Sequence, residues 1–179
     1  MSDPLGIPSP WVRRFAHLVP KDGAVLDLAA GAGRHARFFA GRGHPVTAVD
    51  RNLDGMADLA EGGPIDRIRA DLEDGSPWPL GDRRFAGIIV TNYLHRPLLA
   101  HLAEVLAPGG VLIYETFAVG QGQFGRPSSE NYLLRPNELI GTYAPLLTIV
   151  GFEHGIDYAP NPKAVQRLAA VKGRDLVPL

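Results

Sequence analysis

Two glycines set two residues apart open the stretch with the clearest chemical content, Asp27-Leu28-Ala29-Ala30-Gly31-Ala32-Gly33-Arg34-His35. The stretch follows the apolar run Ala24 to Leu28 and leads into residues of helical character. Glycines at this spacing let the backbone turn tightly and approach a ligand with no Cβ in the way. The helix N-terminus beyond them supplies free amides and a partial positive charge. A nucleoside-cofactor loop needs these features, but an ordinary strand–helix turn has them too, and a lone Gly-x-Gly does not separate the two.

Further along, Val46-Thr47-Ala48-Val49 ends at Asp50, and the run Ile65 to Ala70 ends at Asp71. A carboxylate after a second strand can accept both hydroxyl protons of a ribose, a bidentate contact. The next one can accept from an adenine amino group, with the Leu72 amide facing a ring nitrogen. Taken singly, Asp50 suits a helix cap and Asp71 a turn. The ordered set of glycine loop, acid and acid is more specific than any member.

Two other groups invite a catalytic reading. His95, in Thr91-Asn92-Tyr93-Leu94-His95-Arg96-Pro97, is the best-placed general base, or else a solvated histidine before a helix. Glu115, near the end of a strand, suits a polar acceptor or a buried hydrogen-bonded acid equally well. The glycine-rich segment Ala118 to Arg135 has no apolar period, and a loop of that length is often functional. Phe124, Arg126 and Tyr132 are expected to line or cover an acceptor pocket from it. Trp11 and Phe15 suit a cover over the cofactor or plain core packing.

The elements that must hold these residues alternate. Helices are expected over Trp11 to Leu18, Arg34 to Ala40, Leu53 to Ala60, Pro97 to Leu106 and Pro136 to Tyr143. Strands are expected over Ala24 to Leu28, Val46 to Val49, Ile65 to Ala70, Phe85 to Val90, Val111 to Phe117, Leu147 to Phe152 and Val165 to Val171. Such alternation implies a parallel sheet with helices on both faces. The last link, through Ala159-Pro160-Asn161-Pro162, is too short for a parallel crossover, so the last two strands should form an antiparallel edge hairpin. The expected fold is a single α/β domain spanning 1–179, a Rossmann-like doubly wound sheet of seven strands with its last strand reversed. Residues 1–22 would form a lead-in and helix.

Composition narrows the field. The chain has 179 residues and a net charge of −1, which gives no general case for nucleic acid or an anionic membrane. Arg13, Arg14, Arg34 and Arg37 leave room for a local basic patch. With 0 cysteines, disulfides and thiolate chemistry are excluded. No His/Asp/Glu cluster has metal-ligand spacing. The start, Met1 to Gly6, has no leader pattern and no run is long enough to span a membrane, so a cytoplasmic setting is expected.

The pieces Val25-Leu26-Asp27-Leu28-Ala29-Ala30-Gly31-Ala32-Gly33, Val46 to Asp50, Ala70-Asp71-Leu72 and Leu106-Ala107-Pro108-Gly109-Gly110-Val111-Leu112 together resemble class I S-adenosylmethionine-dependent methyltransferases. Gly31-Ala32-Gly33-Arg34-His35 looks like their tellurite-resistance-type branch, with His35 where many members carry a third glycine. The resemblance implies S-adenosyl-L-methionine as cofactor. Asp27, Ala29, Gly31, Gly33 and His35 would form its loop, with Asp27 orienting the turn. Asp50 would hold the ribose with Arg51 beside the adenine. Asp71 and Leu72 would read the base, and Asn92 and Tyr93 would sit below the sulfonium. The expected partner is a small-molecule methyl acceptor, and the protein a monomer or homodimer. The alternatives are a non-catalytic cofactor-binding module and a nicotinamide-dependent oxidoreductase. The latter lacks a Tyr-x-x-x-Lys pair and fits the final hairpin badly.

Overall fold

A computed structural model describes residues 6–178; Met1 to Leu5, which fall in the expected lead-in, and Leu179 lie outside the described residues. The first helix, α1 (Pro10–Phe15), starts where Ser9 Oγ accepts the Trp11 amide proton at 3.1 Å and Pro10 takes the first helical position. It tightens into a 3₁₀ turn over Ala16–Leu18. After it come β1 (Val25–Leu28), α2 (Arg34–Ala40), β2 (Val46–Asp50), β3 (Ile65–Arg69) and β4 (Phe85–Thr91). The chain closes with α3 (Leu99–Val105), β5 (Leu106–Phe117), α4 (Glu138–Tyr143), β6 (Thr148–Asp157) and β7 (Lys163–Val171).

The seven strands form one sheet in the order β3-β2-β1-β4-β5-β7-β6. The strands from β3 to β5 run parallel, with Leu26 opposite Thr47 on one side and Ile88 on the other. As the short Pro-rich link requires, β7 returns antiparallel and pairs with both β5 and β6. Every residue of β1 is buried, as expected of a central strand covered on both faces. One face packs Leu26, Leu28, Val90 and Leu112 against Leu99 and Leu102 of α3 and Leu139 and Tyr143 of α4. The other packs Val25, Ile89 and Ile113 against Val12 of α1 and Phe39 of α2. Trp11 and Phe15 belong to this second core rather than to a cofactor cover, and Trp11 Nε1 donates to the Leu168 carbonyl at 3.2 Å.

Several expected boundaries change. The helix expected over Leu53 to Ala60 is only a 3₁₀ turn, Asp54–Met56. Side-chain acceptors there satisfy local amides, Asp50 for Asn52 and Asn52 for Asp54, and so compete with a helical ladder. The turn is also wedged under the glycine loop. A Cβ on Gly55 would sit 2.8 Å from Ala32 Cα, and one on Gly33 would sit 2.7 Å from Met56 sulfur. The Pro97 to Leu106 helix begins as a 3₁₀ turn at Arg96–Leu98, and α3 stops at Val105. Leu106 already pairs with Phe85, so Pro108-Gly109-Gly110 lies inside β5, at a register shift, rather than before it. The terminal strands run to Asp157 and start at Lys163, longer than expected. Among the described residues, no helix is long and apolar enough to cross a membrane, and no three metal-binding side chains cluster.

Candidate functional site

At the C-terminal ends of the parallel strands lies a cavity of about 520 Å³. This is where open α/β sheets place their ligands, and the volume falls within the range of small-molecule sites. Ala29 enters it from β1, Asp50 and Arg51 from β2, and Asp71, Leu72 and Glu73 from β3. Asn92, Tyr93 and Leu94 come from β4 and Thr116 and Phe117 from β5, while Pro127 and Tyr132 reach in from the Ala118 to Arg135 segment.

The backbone is strained where it meets this space. Ala29 and Asn92, at the ends of adjacent strands, both sit at φ 55°, in the left-handed region that an alanine rarely occupies. Gly31, at φ 57°, has nothing within 4 Å of where a Cβ would point, so the turn opens on free space.

Asp50 ties the loop to β2. Its Oδ2 accepts the Gly31 amide proton at 2.7 Å and its Oδ1 accepts that of Asn52 at 2.9 Å. A carboxylate has about four acceptor positions, so two remain for hydroxyl donors. Asp71 Oδ1 accepts from the Glu73 amide at 2.9 Å, which makes it a turn aspartate that still faces the cavity. The Tyr93 hydroxyl is buried with no hydrogen-bond partner, and its carbonyl accepts from Tyr114 Oη at 2.9 Å. Burial, and then the carboxylate of Glu73, hold the Tyr93 phenol protonated well above the usual range.

Other expected site residues turn away. Asp27 is buried beneath the loop, and its Oδ2 accepts the Ala36 amide proton at 2.8 Å, which anchors the start of α2. Burial pushes its carboxyl up to about 7, against the lowering effect of that amide. His35, 1% exposed, does not reach the cavity. Its Nε2 accepts the Ser9 amide proton at 3.2 Å, which leaves Nδ1 to carry the hydrogen, 3.4 Å from Thr91 Oγ1. Burial, helped by Arg34, pulls this imidazole down to about 3 and keeps it neutral.

Neither expected catalytic group meets the cavity. Glu115 is 4% exposed and both its oxygens are engaged, Oε1 by Ser9 Oγ at 2.9 Å and Oε2 by Arg167. Arg167 also binds Glu153 and Asp157, so Glu115 anchors the edge hairpin instead of handling an acceptor. His95 is half-buried in the turn after β4, one residue beyond Leu94, where that turn stops lining the cavity.

The expected acceptor-side loop is better anchored than its composition implied. Val119 N donates to Leu134 O and Leu134 N to Phe117 O, both at 2.9 Å, and Leu133 and Leu134 are buried. Of its three expected lining residues, Tyr132 reaches the cavity; Phe124 and Arg126 do not, and Pro127 takes their place. Sequence reasoning also missed Arg96. Its Nη1 donates to Asn131 O at 3.0 Å and its Nη2 to Leu133 O at 2.8 Å, while Nε pairs with Glu138 at 2.7 Å. Two of the four arginines of the basic patch are ion-paired, Arg37 with Asp58 at 2.6 Å and Arg14 with Glu153 at 3.5 Å.

Residues 25–110 match the family described as a methyltransferase domain. TehB from Haemophilus influenzae has the same fold, with a TM-score of 0.70 at 19% identity, over 90% of this chain and 61% of that one. The chain therefore spans less than two thirds of that protein. The 1,6-didemethyltoxoflavin-N1-methyltransferase of Burkholderia thailandensis, solved with bound 1,6-didemethyltoxoflavin and S-adenosylhomocysteine, gives 0.65 at 22% identity, over 97% and 80%. A TehB-like SAM-dependent methyltransferase from Corynebacterium glutamicum gives 0.63 at 15% identity, over 90% and 86%. Among curated proteins, none matches the chain by sequence.

Proposed function

We propose that the chain is an S-adenosylmethionine-dependent methyltransferase that methylates a small molecule inside the cavity above β1 to β5, in keeping with the methyltransferase-domain match over residues 25–110. The observation that carries this reading is the continuity of that cavity. One space runs from Asp50 and Asp71 to Thr116, Pro127 and Tyr132. Cofactor and acceptor would share it, with a loop closing one side. The small-molecule acceptor bound by the structurally similar B. thailandensis enzyme supports the same choice.

The residues present suit the cofactor. Asp50 keeps free acceptor positions that would take the ribose hydroxyls, Arg51 would flank the adenine, and Asp71 and the Leu72 amide would read its edge. Gly31 and Ala29 leave open space beside the loop that would take the methionine portion, and Asn92 and Tyr93 would border the methyl. Asp27 and Gly33 act from beneath, by setting the turn. The bound cofactor supplies an electrophilic methyl on a sulfonium, so the protein's task is chiefly to position the acceptor. With Glu115 sequestered and His95 outside the lining, the acceptor would attack the methyl carbon with its own lone pair and no help from either group. The chain has 0 cysteines, hence no disulfide framework of the secreted kind, and we place the reaction in the cytoplasm, in a monomer or homodimer.

The test is transfer of a labelled methyl from S-adenosylmethionine in a cell extract, followed by ultrafiltration. Label in the small-molecule filtrate is expected. Label retained with RNA or protein would overturn the acceptor class.

A further inference from the structure

The cavity is divided by charge. Its ionised side chains, Asp50, Arg51, Asp71 and Glu73, all come from the ends of β2 and β3. The ends of β4 and β5 and the covering loop contribute only neutral groups there, among them Asn92, Thr116, Phe117, Pro127 and Tyr132. A carboxylate, phosphate or inorganic oxyanion seated in that half would lose its hydration with no cation to replace it.

What that half does present is aromatic surface. Tyr132 is 50% exposed in a chain that buries most of its large apolar side chains. It is not loosely held. The carbonyls on either side of it, Asn131 and Leu133, both accept from the Arg96 guanidinium. Glu138 takes the remaining edge of that guanidinium through Nε and Nη2, at 2.7 and 3.0 Å, and accepts the Arg135 amide proton at 2.7 Å. Burial disfavours ionised Glu138, but Arg96 prevails and holds its pKa below the usual carboxylate range. This ion pair thus sets the backbone on both sides of one exposed ring, in a cavity that Phe117 also lines. A planar ligand gains stacking contacts on such a surface at little entropic cost, because the ring is already placed.

We infer that the acceptor is an uncharged, planar aromatic or heteroaromatic molecule that stacks on Tyr132 and presents an amine, ring-nitrogen or thiol lone pair. This rests on the methyltransferase reading. The lone pair attacks the methyl carbon as the carbon–sulfur bond breaks, and that bonding pair stays on sulfur as the thioether leaves. Any proton on the acceptor's nitrogen or sulfur then passes to water. Arg96 is a positioning residue here, acting through the backbone on either side of Tyr132.

The test uses the full chain in two steps. Calorimetry with S-adenosylhomocysteine comes first; no binding would overturn the methyltransferase reading itself. The loaded protein is then titrated with aminoquinoline, aminonaphthalene, hexanoate and tellurite, and release of S-adenosylhomocysteine from S-adenosylmethionine is followed with each. The aromatic probes should bind and turn over, and the two anions should not. Tyr132→Ala should raise the KM of the best aromatic probe by about tenfold, the scale of a lost aromatic contact, and Tyr132→Phe should restore it. Arg96→Gln should raise the same KM and leave S-adenosylhomocysteine affinity alone, which a general loss of structure would not do. Turnover of tellurite or hexanoate in preference to the aromatics would overturn the inference. So would a loaded protein that binds no aromatic probe, or an unchanged KM in Tyr132→Ala.

Discussion

The Asp50 carboxylate accepts the Gly31 amide proton at 2.7 Å, so the acid that ends β2 holds the glycine turn that follows β1. One side chain shapes the loop in the free protein and, on the proposed reading, would also offer acceptors to the ribose. Asp50→Ala should weaken S-adenosylhomocysteine binding by about 1–3 kcal/mol and cost the free protein about 0.5–1.5 kcal/mol. Calorimetry and urea unfolding check the two parts. An unchanged dissociation constant would leave Asp50 as a turn residue alone.

Glu115 is expected to act on stability and not on catalysis. Glu115→Gln removes the charge facing Arg167 in a site where both are largely buried. The loss should be about 2–4 kcal/mol, below the cost of a fully orphaned pair because Glu153 and Asp157 still face Arg167. Urea unfolding reads it. A turnover defect in a variant of normal stability would restore Glu115 to the chemistry.

His95→Asn should leave kcat and its pH profile within about twofold of the parent, since a true general base contributes roughly 10²–10⁴. Steady-state rates across pH 5.5–9 decide it. Loss of the acid limb in the variant would make His95 the base after all.

Two buried groups should tilt stability in opposite directions with pH. Burial raises the Asp27 carboxyl to about 7 in the folded chain, so folding holds a proton that the unfolded chain releases near 4. Its contribution is present below about pH 4 and is lost as pH rises towards 7. Burial lowers His35 to about 3, so the unfolded chain takes up a proton below about 6.5 that the folded one refuses. Its contribution is present above that pH and is lost as pH falls towards 3. Each can contribute at most about 1.4 kcal/mol per pH unit, and the two oppose one another between about pH 4 and 6.5. Asp27→Asn should therefore make stability rise more steeply with pH in that window, and His35→Gln less steeply. Urea midpoints at several pH values check this; parental slopes in both variants would contradict it.

Much of the sheet was legible because its signals are local. The apolar run Val25 to Leu28, the acids that end β2 and β3, and the short Pro-rich link before β7 each fix a strand or a turn from a few residues. The failures are non-local. Glu115 finds Arg167 52 positions away, and His35 finds Ser9 26 positions earlier, so no spacing rule reveals either contact. The Leu53 to Ala60 stretch carries helical spacing but sits under a loop with room only for Gly55 against Ala32. That Asp50, Asp71 and Leu72 line one cavity was readable from their places after the second and third strands. In the other half, Tyr132 was anticipated, but the Arg96 fork that holds it is a tertiary contact 35 to 42 positions long.

The most direct measurement is isothermal titration of S-adenosylhomocysteine and, separately, NADH into the purified protein. One-site binding of the first, weakened in Asp50→Ala, and no heat from the second are expected. Binding of NADH with no response to S-adenosylhomocysteine would contradict the assignment.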